Sequence, residues 1–261
     1  MTVKLSHAQR EVLQKQDLRL LEMPLGMGAD PSSMAAHLRH LVRLLQNPDT
    51  ASPCSDAVAH LTILFDRTVL AAKNTGLACR QGCAHCCRQP VTVSAPEAFF
   101  IAAQIRNSPD ATQAVLQANR QPRVRPGAQG YSPVPCSLLD GSACSIYAAR
   151  PLACRGFVSR DVNACRTFEQ FGKPNVPMPA DYISVLYACR MILIAAVRLL
   201  GLKDAAFEMN EAVAAVLGHE HAEMRWLKGE TVFGGVKCDD PPPPQFNSQI
   251  DKMVAYVAPT L

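Results

Sequence analysis

The sequence has few aromatic residues and no long, uncharged apolar run. Aromatic residues make up 6% of its 261 residues, and the most apolar stretch, from Met191 to Leu202, is short and contains Arg198. A membrane-spanning helix needs about 20 consecutive, mainly apolar residues, so we expect a protein that does not span a membrane. The N-terminal segment also lacks the apolar core of a secretory signal. We therefore expect a cytoplasmic protein.

Lysine is absent from one long stretch of the chain, and the positive charge there comes from arginine alone. Between Cys79 and Arg166 there are ten arginines and four acidic residues, a formal charge of +6, whereas the remainder carries −2. The total of +4 is too small to indicate nucleic-acid binding by itself. The arginines at 120, 123 and 125 also lack aromatic neighbours for base stacking. We therefore do not expect nucleic acid as a partner.

Cysteine is abundant, with eleven residues. In reducing cytoplasm thiols stay free, and clustered spacing then favours metal ligation over disulfides. Thiolates are soft ligands that suit zinc, Cu(I) and iron-sulfur centres. We therefore predict a metal centre held by eight cysteines in two groups, namely Cys79, Cys83, Cys86 and Cys87, then Cys136, Cys144, Cys154 and Cys165.

The adjacent pair Cys86 and Cys87 bears on how many metal ions are bound. Successive side chains point in different directions, so either one of the two does not bind the ion or the centre has several metals. Eight thiolates fit two zinc ions, or one four-iron cluster with ligands to spare. His85 could replace a cysteine as a ligand. Spacing alone leaves iron-sulfur and zinc open.

Arginines next to the cysteines have a chemical reason to be there. A guanidinium stays charged and donates hydrogen bonds to sulfur, which favours the thiolate and offsets an anionic centre. Six arginines are close to a cysteine in sequence, namely Arg80, Arg88, Arg150, Arg155, Arg160 and Arg166. The alternative is that these arginines lie on an ordinary solvated face of the protein. The absence of lysine from the same stretch makes this alternative less fitting.

Taken together, these motifs resemble the YkgJ-type cysteine-cluster family, the CxxxCxxCC proteins described as zinc- or iron-chelating domains. The resemblance covers about residues 77 to 168. It implies that all eight cysteines belong to the metal site and that Tyr147, Arg150 and Arg155 support it. The matching stretches are Cys79-Arg-Gln-Gly-Cys83-Ala-His-Cys86-Cys87, Pro135-Cys136, Cys144-Ser-Ile-Tyr147, Arg150-Pro151-Leu-Ala-Cys154-Arg155 and Cys165.

Several functions are compatible with this resemblance. The first is a redox or metal-handling protein with an iron-sulfur cluster, and the second is a zinc-structured domain for interaction or delivery. Relatives include flagellin lysine N-methylases, so an N-methyltransferase with a protein substrate is a third. The spacing of Cys79, Cys83 and Cys86 is also that of radical S-adenosylmethionine enzymes, but the strand-helix alternation and glycine-rich segment expected of those enzymes are missing.

The flanking sequence predicts a mainly α-helical fold, in which a helical scaffold surrounds an irregular cysteine-rich centre. Apolar residues recur at helical spacing in the first 76 residues, where Ser6 and Asp30 precede the first two expected helices, and again after Pro179, where the last expected helix runs from Asp204 to Leu217. We expect the isolated cysteines at 54 and 189 to be packing residues. The motif Ser94-Ala95-Pro96-Glu97 predicts a capping box and a helix to about Arg106. We divide the chain into N-terminal helices (1–76), the cysteine region (77–168), C-terminal helices (169–235) and a Pro-rich tail (236–261), which we expect to be extended.

Overall fold

The computed structural model describes residues 19–71, 76–119, 124, 126–236, 242 and 244–261. Most elements in these ranges are helices, which confirms the mainly α prediction. The α-helices are α1 (Pro31–Leu45), α2 (Pro53–Ala71), α3 (Ala95–Ile105), α4 (Pro109–Ala118), α5 (Leu152–Gly156), α6 (Val162–Phe171), α7 (Ala180–Leu199), α8 (Met209–Leu217), α9 (Ala222–Leu227) and α10 (Pro244–Val257).

The described residues also form four short strands and four 3-10 turns. The strands are β1 (Thr92–Ser94), β2 (Leu139–Asp140), β3 (Ala143–Cys144) and β4 (Ala206–Glu208). Strand β1 pairs antiparallel with β4, and β2 pairs antiparallel with β3. The 3-10 turns are Leu20–Glu22, His85–Arg88, Tyr147–Ala149 and Ala258–Thr260.

Helices from both ends of the chain pack into one hydrophobic core. Helix α7 contacts α1, α2, α5 and α10, while α3 packs between α2 and α8. Small buried residues on α7, among them Ala188, Ala195 and Ala196, let neighbouring helices approach closely. Helix α7 is also long and apolar enough to cross a membrane, but 56% of its apolar window is buried inside the protein. A central core helix has the same properties.

Local sequence signals account for where several helices begin. Asp30 Oδ1 accepts a hydrogen bond from Ser32 N at 2.6 Å and caps α1. The predicted capping box is present at α3, where Ser94 and Glu97 satisfy each other's backbone groups. Helix α3 ends at Ile105, close to the predicted end. These caps satisfy backbone N–H groups that the first helical turn leaves without partners.

Three sequence expectations differ from the structure or cannot be compared with it. The tail forms α10, not an extended segment, because the proline run ends at Pro244 in the first turn, where a missing N–H costs nothing. Its buried Ile250 and Val257 then pack on the core. The helix expected from Asp204 begins only at Met209, because residues 206–208 pair with β1. The N-terminal helix expected around residues 6–18 lies outside the described residues.

A cluster of buried histidines lies between α1 and α2. The ring of His60 is 4.6 Å from that of His40 and 5.8 Å from that of His37, measured between ring centres. His37 and His60 are fully buried. Burial lowers the pKa of His37, and the nearby backbone of Met23 opposes this shift. Sequence reasoning missed this cluster, although the i, i+3 spacing of His37 and His40 puts both on one face of α1.

Candidate metal centre

The first cysteine group lies on a loop fixed to the rest of the centre by backbone hydrogen bonds. Ala78 N donates to Ser159 O at 2.9 Å, and Cys83 N closes a turn by donating to Arg80 O at 3.0 Å. Gly82 in this turn has a φ of 89°, which favours glycine. A 3-10 turn, His85–Arg88, follows and carries both adjacent cysteines.

The second group comes from three further pieces of chain. Cys136 N donates to Cys87 O at 2.6 Å, which joins the two groups directly. Cys144 ends the β2–β3 hairpin, opposite Leu139. Cys154 lies on the short helix α5, and Cys165 lies on α6. A small apolar cluster of Cys165, Phe168, Val176 and Phe157 supports the α6 side.

The eight thiols act on one another electrostatically. Burial raises the pKa of Cys165, and the charges of Cys79 and Cys83 raise it further. Burial likewise raises the pKa of Cys154, with added contributions from the second group and from Cys87. The side-chain hydrogen bond with Cys87 raises the pKa of Cys86 most, followed by burial. Each of the eight cysteines thus affects, or is affected by, the charge of at least one other.

The adjacent thiols Cys86 and Cys87 act on each other. The side chain of Cys86 lowers the pKa of Cys87, against the opposing effect of burial. The charges of Arg150 and Arg88 favour the thiolate further. Cys79 Sγ accepts a hydrogen bond from Ser159 N at 3.3 Å. Hydrogen bonds and nearby cations of this kind favour the anionic form of sulfur that binds metals.

Arg150 is the cation that acts on the largest part of the group. Burial raises the pKa of Cys79, Cys144 and Cys154, and the Arg150 charge works against it at each. Its Cζ lies 3.9 Å from the centre of the Tyr147 ring, and its Nε donates to Tyr147 O at 3.1 Å. The stacking holds the guanidinium in place. Both residues are among those that the sequence singled out.

Arg155 has different partners. Arg155 is only 4% exposed to solvent, and its Nη1 lies 2.6 Å from Asp66 Oδ2 on α2. Its Nε donates to Arg150 O at 3.0 Å, and Nη2 donates to the carbonyl of Ala148. These bonds connect the segment that carries Arg150 to the helical core. The observed bonds therefore support positioning of the centre, whereas direct contact with a metal group stays a prediction.

Glu97 makes a second connection between the core and the cysteine region. It is 3% exposed, and Oε2 accepts bonds from Ser94 N and Ser94 Oγ. Its other oxygen, Oε1, accepts a bond from Leu152 N at 2.9 Å, at the start of the helix that carries Cys154. One carboxylate thus caps α3 and fixes α5. The capping role was predictable from sequence, while the bond to Leu152 was not.

His85 lies in the loop, as the sequence shows, but its partner is an acid. Nδ1 lies 2.6 Å from Glu169 Oε2, and Arg88 Nε lies 2.7 Å from Glu169 Oε1. Sequence reasoning missed Glu169. A usable signal was its position four residues after Cys165, which places both residues on one face of α6. The pairing gives His85 a role in holding the loop against α6.

The other cysteines lie apart from this group. Cys54 is buried at the start of α2, where its backbone N donates to Glu223 Oε1 at 2.6 Å. Cys189 is buried in α7. Both match the packing role expected from sequence. Cys238 lies outside the described residues.

The eight cysteine thiols are the kind of ligand that binds a soft transition metal. All described cysteines are free, and the sulfur atoms come from several elements that hydrogen bonds and side-chain contacts join. Among the described residues no three Cys, His, Asp or Glu side chains are already arranged around one ion. Binding would therefore require thiol rotamers to change.

Comparison with known proteins agrees with the chemistry of this region. Residues 78–175, somewhat more than a third of the chain, match the CxxCxxCC family model, whose description is "Putative zinc- or iron-chelating domain". No curated protein and no solved structure matches the chain. The matched range starts just before Cys79 and ends after α6, so it contains all eight cysteines of the group. Residues 78–175 are therefore similar to the zinc- or iron-chelating domain of the CxxCxxCC family.

Proposed function

We propose that this protein binds an iron-sulfur centre through the cysteines of this domain and serves a redox or metal-handling role in the cytoplasm. The proposal is supported by the similarity of residues 78–175, which contain all eight cysteines, to a zinc- or iron-chelating domain, and by the bond from Cys136 N to Cys87 O that joins the two cysteine groups. A single zinc site needs only four ligands. Eight soft donors, two of them adjacent in sequence, suit a centre with more than one metal ion.

The surrounding residues would prepare the thiols for such a centre. Arg150, held by Tyr147, supplies a fixed positive charge near four of the cysteines. Ser159 N donates a hydrogen bond to the sulfur of Cys79. When bound, an iron-sulfur cluster would supply one-electron transfer, and charge and hydrogen bonds to its sulfurs would set its reduction potential. A cytoplasmic location suits this role, because free thiols persist in reducing conditions.

The test is anaerobic purification of the full chain, followed by metal analysis and a visible spectrum. We expect iron, acid-labile sulfide and the broad sulfur-to-iron charge-transfer absorption of a cluster. Cys83→Ala should lose most of the bound metal, while Cys189→Ala, which removes a buried thiol outside the group, should keep it. Circular dichroism of both variants separates lost ligation from lost folding.

Each other result has a defined meaning. A colourless protein that contains zinc would refute the iron-sulfur assignment and favour a zinc-structured domain for interaction or delivery. Metal content that is unchanged in folded Cys83→Ala would refute the ligand set itself. Saturable binding of S-adenosylmethionine, measured by calorimetry, would favour the N-methyltransferase alternative with a protein substrate and replace the proposed redox role.

A further inference from the structure

A pocket of about 290 Å³ opens beside the first cysteine loop. Three separate pieces of chain form its wall. These are the loop from Ala78 to Arg88, the hairpin residue Ser142 and one face of α6. Cys83 belongs to the lining, so the pocket is next to the first cysteine group described above. A molecule bound here would therefore lie against the candidate metal centre.

The lining is strongly basic. Three arginines line the pocket, namely Arg80, Arg88 and Arg166, together with His85, and the only acid among its lining residues is Glu169. With His85 neutral, these side chains carry a net charge of +2. A concave surface of one sign concentrates ions of the opposite sign. The pocket therefore favours an anion over a neutral or cationic ligand.

Glu169 orients two of these basic groups at the pocket wall. Its two oxygens contact Arg88 Nε at 2.7 Å and His85 Nδ1 at 2.6 Å. The other two arginines are different, because neither Arg80 nor Arg166 pairs with an acid anywhere in the ranges that the structure describes. Both are exposed and come from different parts of the wall, the loop and α6. They are the two charges available to a ligand.

Guanidinium groups select a particular kind of anion. Each is permanently charged and presents a planar set of donors that matches a carboxylate or a phosphate with two parallel hydrogen bonds. Two such groups from different parts of the wall suit a ligand with more than one anionic oxygen. The modest volume suits a small molecule, since pockets for drug-sized ligands begin at roughly 300 Å³. Because Cys83 also lines the pocket, the ligand would lie next to this residue.

We propose that this pocket binds a small molecule with a carboxylate or phosphate group, which Arg80 and Arg166 hold beside Cys83. The proposal extends the proposed function by adding an anionic ligand next to the metal centre. Its anion-binding part does not depend on which metal is present. Carboxylate and phosphate share the chemistry that the arginines recognise, so the experiment uses one probe of each kind.

The test measures binding of malonate and of inorganic phosphate to the full metal-loaded chain by calorimetry at low ionic strength. We expect saturable binding of at least one probe at one site per chain. Arg80→Gln and Arg166→Gln should each weaken it at least tenfold, which corresponds to about 1.4 kcal/mol. Arg67→Gln is the matched control, because it removes an exposed arginine on α2 that does not line the pocket. It should bind like the parent protein.

The outcomes separate this proposal from the proposed function. Binding of malonate alone supports a carboxylate ligand, and binding of phosphate alone supports a phosphate-bearing one. Absence of saturable binding for both probes, or equal weakening in all three variants, would overturn the proposal. Metal content and the visible spectrum are recorded on the same samples. Failed anion binding with the metal retained therefore counts against the pocket alone.

Discussion

Mild acid should destabilise this protein through the buried histidine His37. Its side chain is fully buried beside two other imidazoles, and burial lowers its pKa from 6.5 to about 4. The charge of His40 lowers it further, whereas the backbone of Met23 opposes the shift. Burial also lowers the pKa of His60. The folded protein therefore resists protonation of this cluster.

The sign and size of the effect follow from linkage between protonation and folding. In the unfolded chain His37 takes up a proton below its ordinary value of 6.5, while in the folded protein it stays neutral until about 4. Between pH 6.5 and about pH 4 the unfolded state therefore binds more protons than the folded state. The contribution of His37 to the free energy of unfolding is complete above pH 6.5 and falls as the pH decreases towards 4. Each unit of pKa difference corresponds to about 1.4 kcal/mol, so the shift of His37 lowers the free energy of unfolding by roughly 3 kcal/mol across this range.

The assay is urea unfolding at a series of pH values across that window. The parent protein should lose stability more steeply on acidification than His37→Gln, which keeps a polar side chain of similar size but cannot be protonated. Because the substitution also changes packing, the comparison uses the slope with pH and not the absolute free energy of unfolding. The exposed His219 supplies the control, and His219→Gln should keep the parental slope. Equal slopes for the parent and His37→Gln would refute the reasoning.

Two further predictions concern the contacts that hold the cysteine region. Glu97→Ala should lower the free energy of unfolding by about 2–4 kcal/mol, because it removes the α3 cap and leaves Leu152 N without its partner. Thermal unfolding of Glu97→Ala measures this, and a loss below about 1 kcal/mol would contradict the cap's contribution. Gly156→Ala should cost about 1–3 kcal/mol through overpacking, since the new Cβ would lie 2.6 Å from Leu186 Cδ2. Denaturant unfolding measures it, and an unchanged midpoint would show that Leu186 moves aside freely.

Local signals predicted much of the helical scaffold. Asp30 and the Ser94–Glu97 motif begin helices where the sequence indicated, since a cap is decided by residues within one turn. The tail was predicted wrongly because the proline run dominated the interpretation, whereas the spacing of Phe246, Ile250 and Val257 already fits a helix. The strand at 206–208 depends on its distant partner at 92–94. Such pairing cannot be read from either short segment alone.

The contacts that support the candidate centre could not be predicted from the sequence. The close spacing of the first cysteines, together with the second group, indicated one site, and the bond from Cys136 N to Cys87 O joins the two groups. The bonds of Arg155 to Asp66 and of Glu169 to His85 join residues 89 and 84 positions apart. Sequence composition carries no signal for such pairs. That the eight cysteines bind metal stays a prediction until metal content is measured.

Three separate contacts join the cysteine region to the helical core, and together they couple metal binding to folding. Arg155 pairs with Asp66 on α2, Glu97 on α3 bonds the start of α5, and Ser137 Oγ donates to Asn210 Oδ1 on α8 at 2.6 Å. A centre held only by flexible loops would lose its ligand geometry whenever the metal left. Here the supporting helices have an apolar core of their own, so they keep the ligand segments close together without metal. Metal binding then has to change thiol rotamers and displace protons from the thiols. The larger entropy cost, that of bringing the four cysteine-bearing segments together, is already met when the protein folds.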